Sequence, residues 1–192
     1  MFYLPWKCLR PLKSMRFSLF LSVFFSLTVK AGTWKVSADS AKVSCRRCAL
    51  SSIPEWVLKS KKIRELNLSS NHLIAIPPEI ANMESLQILR LRNNQIQTLP
   101  ATLASLGNLQ ELWLGKNELG YLPLEMTILP KLKKLDLWYN HFTTFDTAWA
   151  KAPSLQWIDL RLNMIDTPLQ GKLKKLFKGR KIYFSKNCNC GG

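Results

Sequence analysis

The sequence predicts an α/β solenoid, with one parallel sheet of about seven short strands on a concave face and irregular or helical segments returning along the convex side. Three observations predict it. Asn71, Asn94, Asn117, Asn140 and Asn163 stand 23 residues apart, and flanking leucines keep the same spacing. Within each period the apolar residues alternate over a short stretch, as a strand with one buried face requires. The chain has 192 residues, 47% of them hydrophobic and 21% charged, which supports one packed domain and excludes a mainly disordered chain.

The first element is an export segment, residues 1–31. It contains no acid, and Lys7, Arg10, Lys13 and Arg16 precede the apolar run Phe17 to Val29. Those residues would span roughly 20 Å as a helix, short of the roughly 30 Å hydrocarbon layer, so a signal peptide fits better than a membrane span. Val29-Lys30-Ala31 places the expected cut between Ala31 and Gly32, with Met1 or Met15 as the start and an uncleaved signal anchor as the alternative. Cleavage would remove Cys8 and five basic residues, leaving four cysteines and lowering the formal charge from +16 to +11. The expected location is therefore secreted, periplasmic or in the cell envelope, with no membrane span in the mature chain.

The repeats come next, at residues 63–166. Ile63, Leu86, Leu109, Leu132 and Leu155 open each copy; Leu66, Leu89, Leu112, Leu135 and Ile158, then Leu68, Leu91, Leu114, Leu137 and Leu160, form the strand pair. The pattern is L-x-x-L-x-L-x-x-N. An Asn at the strand end can bond backbone groups where the chain turns, and stacked copies form a ladder. Ile76-Pro77, Leu99-Pro100 and Leu122-Pro123 then start the return with a fixed φ. Inward residues recur there at a spacing of three: Ile80 and Met83, Leu103 and Leu106, Met126 and Leu129. The fourth copy departs, with Phe145-Asp146 in place of Leu-Pro and Trp149 in the convex slot, which predicts a bulkier convex layer.

These motifs resemble the leucine-rich repeat family, in its 23-residue form with Leu/Ile-Pro after the Asn, similar to exported bacterial members and to the Ras-group or typical class. The resemblance extends over about residues 43–187. Residues 32–62 read as an amino-terminal cap with an incomplete repeat, in which Val43 and Cys45 take the strand positions and Cys48 the Asn position. Residues 167–192 read as a basic carboxy-terminal cap, whose Ile182, Phe184 and Asn187 repeat the strand spacing with a one-residue stutter. Within it, Leu169, Leu173, Leu176 and Phe177 predict one apolar helical face.

Seven strands at about 4.8 Å span roughly 29 Å, whereas a disulfide needs Cα atoms within about 7 Å. Cys45 and Cys48 therefore cannot pair with Cys188 and Cys190 in a monomer. Bridges within each pair, bridges between chains, and buried reduced thiols all remain open, the last because Cys at the Asn position is a known variant of the family. A four-Cys zinc site is excluded by the same length, and no metal or cofactor is expected.

No reaction centre appears: the sequence lacks a nucleophile elbow, a phosphate-binding glycine loop and a metalloprotease helix, so the chain reads as non-catalytic. His72 and His141 occupy the same solvent-facing turn position. Asn67-Leu68-Ser69 is a formal glycosylation sequon inside a strand.

Function is expected on the concave face. The column between the core leucines reads Ser44, Asn67, Arg90, Trp113, Asp136 and Asp159; the next reads Arg46, Ser69, Arg92, Gly115, Trp138 and Arg161; beside it run Arg47, Ser70, Asn93, Lys116, Tyr139 and Leu162. Trp157 stands one place before its strand pair. Arg90, Arg92, Trp113, Asp136, Trp138, Tyr139, Trp157, Asp159 and Arg161 form the candidate partner-binding set, because large aromatics and arginines at outward positions are the residue types of binding hot spots. The columns pass from basic at Arg46 and Arg47 to aromatic and acidic at Asp136 and Asp159.

The family resemblance implies protein–protein interaction most often, and carbohydrate or other ligands less often. The expected function is thus an exported, non-catalytic module that binds a partner protein. One alternative is an envelope or anionic-surface protein that uses the basic carboxy-terminal helix; another is a cytoplasmic scaffold, should residues 1–31 not be a signal. Nucleic acid is not expected, because the charge is local. Residues 1–31 hold five basic residues and residues 168–192 seven with no acid, which leaves +4 over residues 32–167.

Overall fold

The computed structural model describes residues 33–185. The expected signal peptide and its cut, with Cys8, Asn187, Cys188 and Cys190, lie outside the described residues.

Eight strands form one open sheet in sequence order: β1 (Lys35–Val36), β2 (Lys42–Ser44), β3 (Glu65–Asn67), β4 (Ile88–Arg90), β5 (Glu111–Trp113), β6 (Lys134–Asp136), β7 (Trp157–Asp159) and β8 (Lys181–Tyr183). From β2 onward all neighbours are parallel, and Leu66, Leu89, Leu112, Leu135 and Ile158 stand in register. The period-2 rule accounts for the faces: Leu66 and Leu68 point inward and are fully buried, while Glu65 and Asn67 point out onto the concave side. Ile182 pairs with Ile158, 24 residues away, so the terminal stutter is present.

The asparagines stitch each turn to the one before. Asn117 Oδ1 accepts from the Ile96 N–H at 3.1 Å, and its Nδ2 donates to the Leu91 and Leu114 carbonyls at 3.1 and 2.8 Å. Asn94 and Asn140 repeat this set on their own neighbours. The residue just before each Asn has a left-handed backbone: Ser70, Asn93, Lys116, Tyr139 and Leu162 have φ between 55° and 62°. That conformation costs a non-glycine residue roughly 1–2 kcal/mol, which the ladder bonds and the buried leucines offset.

The return segments are short 3-10 turns at Pro78–Asn82, Ala101–Ser105, Leu124–Ile128 and Thr147–Lys151. Three are entered through the prolines at 77, 100 and 123. In the fourth, Asp146 replaces proline and its carboxylate accepts from the Ala148 N–H at 2.7 Å, so a side-chain cap does the work of the fixed ring. The bulkier convex layer is present: Phe145 stacks on Trp149 and meets Phe142 and Phe177 at ring distances of 6.0 to 6.3 Å.

Both ends are closed by their own devices. Cys45 and Cys48 form a disulfide with Cα atoms 5.7 Å apart, so one of the open alternatives is realised. An Asn at position 48 would reach back to a preceding parallel repeat, and among the described residues none precedes β2; the bridge ties the turn instead. The strand β1, which the sequence reading did not include, pairs antiparallel with β2 through a tight turn in which Asp39 accepts from Ser37 Oγ and the Ala41 N–H. A short helix α1 (Glu55–Leu58) fills the convex side of this first turn. At the other end α2 (Thr167–Leu176) is capped by Asp166, which accepts from the Leu169 N–H at 2.8 Å. Leu173 and Phe177 are buried and Leu169 partly so, but Leu176 is 46% exposed. The four residues expected on one apolar helical face share it: 169, 173 and 177 follow the i, i+4 line turned to the core, and Leu176 lies at its exposed edge.

Candidate binding face

The concave surface is built from the outward residues of β2–β8 and the turn residues that follow them. Trp113 in β5 and Trp157 in β7 reach across β6 to bring their rings to 5.7 Å, and Trp157 meets Tyr183 of β8 at 5.9 Å. The Arg92 guanidinium lies 4.4 Å over the Trp113 ring, and the indole N–H of Trp113 donates to Glu111 at 3.0 Å. Arg161 lies 5.7 Å over the Tyr183 ring. Trp138 and Tyr139 form a second pair, 5.7 Å apart, with Tyr139 52% exposed. The aromatic candidates therefore divide into a row, Trp113, Trp157 and Tyr183, and a neighbouring pair.

The two acidic candidates are corrected. Asp136 is fully buried and Asp159 is 2% exposed, so neither is a carboxylate offered to a partner. Asp159 folds back on its own strand end, and Asp136 ties its own strand end to the turns that follow β4 and β5. Asp136 accepts from the Gly115 N–H at 3.1 Å, from Arg92 Nε and from the Trp138 N–H at 3.4 Å. Asp159 accepts from the Arg161 N–H at 3.0 Å and from its guanidinium at 2.6 Å. Asn67 does the same with the Ser69 N–H at 3.1 Å, which shows that the column serves the backbone two residues on. Gly115 is part of the device, since a Cβ there would lie 2.6 Å from Asp136 Oδ2.

Arg90 is half-buried and reaches Glu65 at 3.5 Å, and Glu65 also takes Lys42 at 2.8 Å. Glu111 takes Lys134 at 2.8 Å. Glu65, Glu111, Lys134 and Tyr183 were absent from the candidate set. The signal was available: residues one place before the strand leucine share the outward parity of Trp157, and Tyr183 lies between Ile182 and Phe184.

These pairs set a pH dependence. The Lys42 ammonium holds the Glu65 carboxyl below its ordinary value. Burial pushes Glu111 up, but the bonds from Lys134 and Trp113 outweigh it and leave that carboxyl lowered as well. A carboxyl depressed in the folded state contributes stability that is present above the unfolded value, about 4.3, and lost as pH falls through the folded one. The thermal midpoint is expected to fall more steeply below about pH 4.3 in the wild type than in Glu65→Gln/Glu111→Gln. Equal slopes would refute the assignment.

His72 and His141 are exposed, and Ser69 of the sequon is 8% exposed. Among the described residues, no group of three or more His, Cys, Asp or Glu is placed to hold a metal ion, and no helix is long and apolar enough to cross a membrane.

Comparison with known proteins places this geometry. The leucine-rich repeat family model matches residues 61–119, the stretch from just before β3 to just beyond β5. A solved leucine-rich repeat protein of Leptospira interrogans is similar over 72% of the chain, with 24% identity and a TM-score of 0.53. The chain spans 42% of that protein's length, and the likeness is one of fold. No curated protein matches the chain.

Proposed function

We propose that this leucine-rich repeat protein is an exported, non-catalytic binding module whose concave face takes a partner protein. The row of Trp113, Trp157 and Tyr183 is the observation that supports it most. Core packing gives no reason for three large rings on the outward side of a sheet. Their neighbours hold them in place: Arg92 covers one face of Trp113, Glu111 satisfies its indole N–H, and Arg161 flanks Tyr183. A row fixed in this way offers contact area at low entropic cost, which is what a binding hot spot needs.

A pull-down from the native source with the wild type and with Trp113→Ala/Trp157→Ala tests the reading. The double variant is expected to keep its thermal midpoint within a few degrees and lose at least one captured protein. An unchanged set of captured proteins, with the fold intact, would defeat the concave-face assignment.

A second reading has its own support: the exposed Leu176 stands beside Lys172, Lys174 and Lys175 on α2, as an anionic-surface anchor would require. Substitution separates the two. Attachment through the α2 lysines is lost in Lys172→Gln/Lys174→Gln/Lys175→Gln, whereas concave-face recognition persists there and is lost in Trp113→Ala/Trp157→Ala. Export is tested by sequencing the mature amino terminus, expected at Gly32.

A further inference from the structure

The charge on the concave face changes sign of meaning once its carboxylates are located. Glu65, Glu111, Asp136 and Asp159 each hold a cation of the same face: Lys42 with Arg90, Lys134, Arg92 and Arg161 respectively. What remains for a ligand is basic. Lys35, Arg46, Arg47, Lys116 and Lys181 are exposed and make no ion pair with a carboxylate among the described residues.

We propose that the partner is an acidic polypeptide segment that lies across the strands, its apolar or aromatic side chain on the Trp113–Trp157 row and its carboxylates on the surplus cations to either side. The proposal rests on the concave-face reading above and gives that partner its chemistry. The two ends of the face differ in construction. Arg46 and Arg47 sit inside the four-residue loop closed by the Cys45–Cys48 disulfide, with Arg47 in the left-handed conformation at φ 57°. The loop therefore presents two guanidinium groups from a constrained backbone. With Lys35 and Ser44 they border a shallow depression of about 390 Å³ at the β1–β2 end. At the other end stands Lys181, on the terminal strand beside Tyr183.

Spacing makes the proposal specific. Arg46 and Arg47 follow β2, the Trp113–Trp157 pair meets over β6 and Lys181 is in β8, so the charged ends lie four and two strand spacings, about 19 and 10 Å, from the aromatic anchor. An extended chain covers these in about six and three residues. The expected ligand carries acids about six positions to one side and about three to the other side of a large apolar residue. Opposed charges of this kind accelerate encounter and weaken with salt, whereas the apolar anchor does not.

The experiment is a selection of a randomised 12-residue peptide library on the immobilised full chain, disulfide intact, followed by affinities of the enriched peptide and of its version with every Glu and Asp changed to Gln and Asn. Enrichment of acids at that spacing around an aromatic or branched apolar residue is expected. The amide version should bind at least tenfold more weakly, and so should the acidic peptide to Arg46→Gln/Arg47→Gln. Lys172→Gln/Lys174→Gln/Lys175→Gln on α2 should leave affinity unchanged. Neutral or basic winners, no enrichment, or equal binding of the amide version overturns the acidic partner; loss of native capture by Trp113→Ala/Trp157→Ala would still leave the concave-face reading standing. If heparin or phosphatidylserine vesicles bind as tightly as the peptide and do not depend on Trp113, the face is a general polyanion surface and the proposal fails.

Discussion

Replacing Asn117 with alanine is expected to destabilise the protein by about 3 kcal/mol, because one side chain carries three buried hydrogen bonds worth about 1 kcal/mol each. The residue is 4% exposed, so water cannot take over those partners without opening the turn. Two controls separate the ladder from simple loss of volume. Asn117→Asp keeps an acceptor for the Ile96 N–H but faces the Leu91 and Leu114 carbonyls with oxygen, so it should cost at least as much as alanine. Asn163→Ala, at the last and more exposed of the described rungs, should cost about 1–2 kcal/mol, since water reaches part of the site. Denaturant midpoints at constant slope give these differences directly. A cost below about 1 kcal/mol at Asn117 would mean that the left-handed turns are held by leucine packing alone.

The ladder and the strands were legible in the sequence because both are consequences of position. Leu112 and Leu114 must face inward once Glu111 and Trp113 alternate with them, and a residue spaced by 23 must stand beside its copy in the next strand. What parity does not reveal is how far a side chain travels after leaving the strand. Asp136 and Trp113 occupy the same outward column and register with one another, yet Trp113 lies across the surface and Asp136 folds under it onto the Gly115 and Trp138 N–H groups. A short carboxylate reaches a backbone donor two residues on, and an indole cannot. The hint was Gly115, which leaves room for that reach and which alone in its column has no side chain. β1 was missed for a different reason: two residues carry no period, and its pairing depends on the turn that Asp39 closes. The state of Cys45 and Cys48 depended on whether a repeat precedes β2, a question of neighbours that spacing leaves open.

Arg92→Ala is the second large effect, with an expected cost of about 2–3 kcal/mol, larger than that of Asp136→Asn. The asymmetry follows from burial. The Arg92 side chain is 46% exposed and Asp136 is fully buried, so removing the arginine leaves a buried carboxylate with two N–H donors and only the Arg161 charge, which does not bond it, while removing the aspartate charge leaves a guanidinium that water can solvate. The double variant Arg92→Ala/Asp136→Asn should then be more stable than the sum of the singles predicts, by roughly 1–2 kcal/mol, since no unpaired buried charge remains. The same pair governs recognition. Arg92 is held over the Trp113 ring by its bond to Asp136, so Arg92→Ala frees one face of the indole and should weaken partner binding even where stability is restored in the double variant. If the double variant recovers both stability and binding, Arg92 acts only to neutralise Asp136. If it recovers stability alone, the buried carboxylate acts through Arg92 to position the aromatic row.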